Sequence, residues 1–145
     1  MSTIKLTLNY SKEPIFHEAP VVRGVQVWTH TASKHQKKPR RKTTALVNTG
    51  ADVTQVPSSI IDDVGEDTGR VVALSAPGVK LRLANLHRVR FRICSHDVET
   101  EWAVPVDSDY IDLGRDILSR YTVSVCWPVA KAGKLEMPKN GTAIP

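Results

Sequence analysis

The stretch VKLRLANLHRVRFRI, Val79 to Ile93, alternates apolar and polar side chains along most of its length. A period of two marks a β-strand with one face toward a core and the other toward water, because successive side chains project to opposite sides. In its last part Val89, Phe91 and Ile93 point one way while Arg90 and Arg92 point the other. The same alternation runs through TIKLTLNY, VVRGVQVWTH (Val21–His30), TTALVN, RVVALSA and the segment that follows Ile93 through WAVPV. A chain written this way is expected to be all-β.

Departures from the pattern are short. SAPGVK, Ser75 to Lys80, carries the turn signal Pro77-Gly78 between two strands. In PSSIIDDVG, Ser58 or Ser59 is placed to cap a single helical turn that Gly65 ends. The one longer helical pattern is RDILSRY, Arg115 to Tyr121, followed by a last strand, TVSVCW. At 145 residues one domain suffices. The expected division is 1–127 as the domain and 128–145 as a tail rich in Pro, Gly and Lys.

The formal charge of +5 is concentrated in SKHQKKPRRK, Ser33 to Lys42, between two strands expected to form a long hairpin. Lys34, Lys37, Lys38, Arg40, Arg41 and Lys42 cannot be buried together, so this is read as a solvated loop. Contact with nucleic acid or another polyanion is the weaker alternative, because no aromatic residue is interleaved with the charges. No segment approaches the roughly 18 apolar residues of a membrane span, and the N-terminus lacks the apolar core of a secretory leader, so a cytoplasmic location is expected. Cys94 and Cys126 lie far apart and are expected as buried thiols. His17, His30, His35, His87 and His96 show no zinc spacing, and no metal or cofactor is expected.

Chemistry concentrates in two places. The apolar run Ala45-Leu46-Val47 breaks into Asn48-Thr49-Gly50-Ala51-Asp52, and the late segment reads Ile111-Asp112-Leu113-Gly114-Arg115-Asp116-Ile117-Leu118. Together, in this order and with a turn-bearing hairpin between them, these resemble the two signatures of the retropepsin family of aspartic proteases, including its single-domain bacterial relatives. The first family signature is an apolar pair followed by Asp-Thr-Gly-Ala; the second is an apolar pair, Gly-Arg-Asp or Gly-Arg-Asn, and a short helix. The resemblance extends over Val21 to Trp127.

The resemblance implies a retropepsin-like fold and an aspartic endopeptidase, in which two carboxylates share one proton, one activating water and the other polarising the scissile carbonyl. With one such turn per chain, the second carboxylate must come from a two-fold homodimer. It further implies that Thr49 and Gly50 support the catalytic position. Ala51, Asp52 and a flap at Ser75, Ala76, Pro77, Gly78, Val79 and Lys80 would contact a peptide or protein substrate. Asp52 and Arg115 would form a partly buried structural ion pair. Asp112 stands where the family usually has an apolar, cleft-lining residue. It is expected either to favour a basic substrate side chain or to lie in a loop facing water.

At the catalytic position itself the residue is Asn48. Asparagine is nearly isosteric with aspartate, so fold and dimer should survive, but a carboxamide cannot share a titratable proton. By the family geometry neither Asp52 nor Asp112 is placed to substitute, so the chain as given is expected to be inactive. Asn48 is either a deliberate replacement of an aspartate or the mark of a natural pseudoprotease that binds peptides or serves as a scaffold dimer. The intact Thr49, Gly50, Asp52 and Arg115 favour the first.

Overall fold

A computed structural model describes residues 4–10, 19–76 and 78–125, and of 4–10, 76 and 122–125 the backbone alone. Nine strands and two short helices follow one another: β1 (Ile4–Tyr10), β2 (Pro20–Trp28), β3 (Thr43–Val47), β4 (Gln55–Pro57), α1 (Ser58–Val64), β5 (Glu66–Ala76), β6 (Val79–Ile93), β7 (His96–Val106), β8 (Ile111–Leu113), α2 (Arg115–Leu118) and β9 (Tyr121–Val125). The expected all-β class holds, and the tail beyond residue 125 lies outside the described residues.

The strands pair in the order β5-β6-β7-β4-β8-β3-β2-β1-β9, with a further antiparallel pairing of β6 to β2. That extra pairing closes β2, β3, β8, β4, β7 and β6 into a ring around one core. The β2–β3 hairpin forms as its sequence suggests, with Val21 opposite Leu46 and Val25 opposite Thr43. β3 and β8 run parallel although they are distant in sequence. Val25, Val27, Phe91, Ile93, Ile111 and Leu113 fill the interior and are essentially inaccessible. Burying side chains of this size contributes roughly 1.5–3 kcal/mol each.

Helical content differs in detail from expectation. α1 is a full seven-residue helix, and Pro57 precedes it with no side-chain cap. The Ser58 hydroxyl instead donates to the Val106 carbonyl, tying the helix start to β7. Gly65 does terminate the helix, its amide donating to the Ile61 carbonyl at 2.8 Å. α2 is shorter than expected, because Tyr121 already belongs to β9, which pairs in parallel with β1. Cys94 is exposed, not buried. It sits with Ser95 at positive φ in the β6–β7 turn, so it ends the strand instead of continuing it. Cys126 lies outside the described residues.

Candidate functional site

The two sequence signatures meet. β3 delivers Val47 opposite Leu113, and the Asn48 amide donates to the Leu113 carbonyl at 2.9 Å. The chain then turns, with the Ala51 amide reaching back to the Asn48 carbonyl at 3.2 Å and the Arg115 amide donating to the Ala51 carbonyl at 2.8 Å. Gly114 allows this approach: a Cβ there would lie 2.6 Å from both the carbonyl carbon and the oxygen of Val53. Arg115 and Asp52 form the expected ion pair. It is not partly buried, however: the side chains are 60% and 80% exposed. A Cβ at Gly50 would meet only Asn48 Oδ1, at 3.4 Å. Thr49 is exposed.

Asn48 is held at both ends of its carboxamide. The Gly50 amide donates to Oδ1 at 3.0 Å, which orients the group, and Nδ2 then donates to Asp112 Oδ2 at 3.4 Å. Asp112 is neither in a loop nor facing water. It occupies the middle of β8, half-buried, with Leu46 of β3 and Gln55 of β4 as register neighbours. Its second oxygen, Oδ1, is buried with no hydrogen-bond partner. Burial pushes the carboxyl above the ordinary aspartate range, and the Asn48 hydrogen bond opposes that shift. The alternative of a loop facing water therefore does not hold: the parallel β3–β8 register puts the Asp112 side chain in contact with Asn48.

The β5–β6 hairpin arches over the turn and encloses a cleft of about 450 Å³. Gly50, Ala51 and Asp52 form its floor, while Ser75 and Val79 contribute from the hairpin. Neither Asn48, Thr49 nor Asp112 lines it in the single chain. Gly78 turns the hairpin tip at φ +75°; Pro77 lies outside the described residues, and Ala76 is defined by its backbone pairing with Val79. Sequence reading missed Val72, Leu74 and Arg82, which also face the cleft. Their signal was the alternation itself, which puts Lys80 and Arg82 on one face with Ala84 and Leu86.

Asp116 anchors the floor from behind. It accepts hydrogen bonds from the Thr54 hydroxyl at 2.7 Å and the Thr100 hydroxyl at 2.9 Å. The Thr54 oxygen in turn accepts from the Gly114 amide at 3.0 Å. Burial raises the Asp116 carboxyl above its ordinary range against these hydrogen bonds. One side chain thereby links α2 to β7 and to Thr54, just ahead of β4.

The basic segment is an organised loop. Thr29 accepts from the Lys37 amide, Gln36 donates to the His30 and Ser33 carbonyls, and the Arg40 amide donates to Val27. Arg40 and Lys37 both pair with Asp63 of α1, which neutralises part of the charge, while Lys34, Lys38, Arg41 and Lys42 are exposed. No helix among the described residues is long and apolar enough to cross a membrane.

Comparison with known proteins gives the fold. No family model matches the chain, and no curated protein matches it. Among solved structures, the foamy viral protease–reverse transcriptase in complex with RNA/DNA hybrid is similar at a TM-score of 0.51 and 14% identity, covering 70% of this chain. The chain spans only 12% of the length of that protein. The solution structure of Simian Foamy Virus (mac) protease matches at a TM-score of 0.46 and 19% identity, covering 67% of this chain and 90% of that one. The fold is all-β and retropepsin-like.

Proposed function

We propose that the chain is the subunit of an aspartic-type endopeptidase homodimer in which Asn48 occupies the position of the catalytic aspartate, so that the form described here does not cleave peptides. The observation that carries this reading is the convergence of the two signatures. Residues 48–52 and 112–116, distant in sequence, are joined by backbone hydrogen bonds and by the Asp52–Arg115 pair beneath an overhanging hairpin. An aspartate at 48 in each of two subunits would supply the shared-proton dyad that activates water. The cleft between turn and hairpin would hold an extended peptide, with Ser75, Ala76, Pro77, Gly78 and Val79 closing over it.

A second reading, a peptide-binding pseudoprotease dimer, is favoured by one observation: both ends of the Asn48 carboxamide are hydrogen-bonded, so asparagine fits its surroundings. Neither reading invokes a metal or cofactor. A polyanion contact through the loop lysines and arginines could accompany either, and would show as binding that weakens steeply with salt.

The test compares the chain as given with its Asn48→Asp variant on a proteome-derived peptide mixture between about pH 4 and 8, the range in which a carboxylate dyad can hold one proton. New termini made by the variant alone support the endopeptidase. If neither form cuts, yet both retain peptides on an immobilised column, the pseudoprotease reading takes its place.

A further inference from the structure

We propose that Asn48 and Asp112 form a matched pair, in which the Asn48 amide is the donor that accommodates the Asp112 carboxylate inside the site, and Asp112 is the positioning residue that decides what position 48 can be. The pairing stands on geometry and does not depend on whether the chain hydrolyses peptides.

The orientation of the carboxamide is not arbitrary. The Gly50 amide needs an acceptor and takes Oδ1, so Nδ2 is the atom left to face Asp112. On the other side Asp112 has few options. Its register neighbours are Leu46, which offers no side-chain donor, and Gln55. The nearest cation along the chain, Arg115, is engaged with Asp52. Among the described residues no cation pairs with Asp112, and its Oδ1 is buried without a partner. Among the described residues Asn48 is thus the donor this carboxylate has, and removing a donor from a half-buried charge is costly.

An aspartate at position 48 alters the balance. Gly50 would still claim one oxygen, and the other would face Asp112 Oδ2 across the same 3.4 Å. Two carboxylate oxygens at that distance cannot both stay ionised in a half-buried site, so one proton must be held between them. This acid pair would lie within one subunit, separate from any pair formed across a two-fold axis. An Asn48→Asp chain would therefore carry one more proton in its folded state than a simple dyad requires, and would function and fold best at low pH.

Exchanging the two residues restores the match. Asn48→Asp combined with Asp112→Asn keeps one carboxylate and one carboxamide, with the acid now on the turn. The experiment compares urea unfolding of the parent, the Asn48→Asp variant and the exchanged double variant at pH 5 and pH 8. The folded-state pKa of the acid pair is raised, so the stability it permits is lost as pH rises through that value. The single variant should lose midpoint between pH 5 and 8 more steeply than the parent, and the exchange should return most of that loss. Equal midpoints for the single and double variants at pH 8 would overturn the pairing. Should the single variant not fold, ¹³C titration of the Asp112 carboxyl in the parent and in Asn48→Ala decides: the pKa must move up when the donor is removed, and an unmoved titration overturns the proposal. Peptide cleavage is scored separately. If the exchanged variant is rescued in stability but does not cut, the pairing stands and the endopeptidase reading falls.

Discussion

Gly114 shows how much of the site rests on one missing side chain. A Cβ at this position would stand 2.6 Å from the Val53 carbonyl group and 3.0 Å from the Ala51 carbonyl oxygen, both of them backbone atoms that cannot rotate aside. Gly114→Ala should therefore cost about 2–3 kcal/mol in urea unfolding, at the upper end of overpacking penalties. Gly50→Ala would make only one side-chain contact, with Asn48 Oδ1 at 3.4 Å, and should cost under about 1 kcal/mol. Equal penalties at the two glycines would show that the approach of Gly114 to Val53 and Ala51 is not the constraint. Both glycines were visible in the sequence as parts of recognisable signatures, and so was the Asp52–Arg115 pair. The contact between Asn48 and Asp112 was not, because it depends on the parallel register of β3 and β8, which no local pattern encodes. Asp116 was equally silent: its partners are Thr54, just ahead of β4, and Thr100 of β7, both distant in sequence. Its folded-state pKa lies above the unfolded value of about 3.9 because of burial, so the stability it permits is complete below that pH and declines as pH rises through the folded value. Asp116→Asn should remove that step, and unfolding measured from pH 4 to 7 should show the variant gaining on the parent as pH increases. A constant difference across the range would mean that Asp116 does not titrate in this way.

Among the elements, β6 departs most from a plain reading of its alternation. Val89, Phe91 and Ile93 point inward as expected, but the register with β7 shifts between His87 and Val89, and before that point the buried residues are Ala84 and Leu86. The phase of the strand is thus reversed in its first half. Val79, Leu81 and Leu83, apolar and in step with the core residues further on, are 61–72% exposed. Lys80 and Arg82 line the cleft, together with Val79 at the hairpin tip. A period of two tells that a segment is a strand, but a bulge can exchange its two faces, and only the partner strand reveals where. The energetic consequence is local. Leu86 packs in a small cluster with Val53, Ala84 and Val104, so Leu86→Ala should cost about 2–3 kcal/mol. Leu83→Thr, on the outer face, should change stability by less than about 0.5 kcal/mol. Thermal unfolding of the two variants tests this reversal of phase, and a larger loss at Leu83 would contradict it.

For the whole molecule, the unanswered demand is cover for the Asp52–Arg115 pair. Residues 48–52 form a floor whose ion pair is mostly exposed, and an exposed pair contributes about 0–1 kcal/mol. Conformational order at a turn like this is more easily understood if a second copy closes over it, as the proposed dimer requires. Two quantities then follow from mass action. The unfolding midpoint should rise with protein concentration, because binding between folded chains stabilises them, whereas a monomer's midpoint is independent of concentration. Arg115→Ala should also reduce stability more at high concentration than at low, where chains are single and the pair is worth little. The other end of the sheet bears on the same question. β9 is the terminal strand in the pairing order, bonded on one side to β1. Among the described residues its other edge is unpaired, a place where a further strand can add. If the segment after it completes the dimer there, deletion from Pro128 onward leaves a monomer by sedimentation velocity and abolishes the concentration dependence of the midpoint. A deleted chain that sediments as an unchanged dimer would place the contact at the 48–52 turn and the hairpin alone.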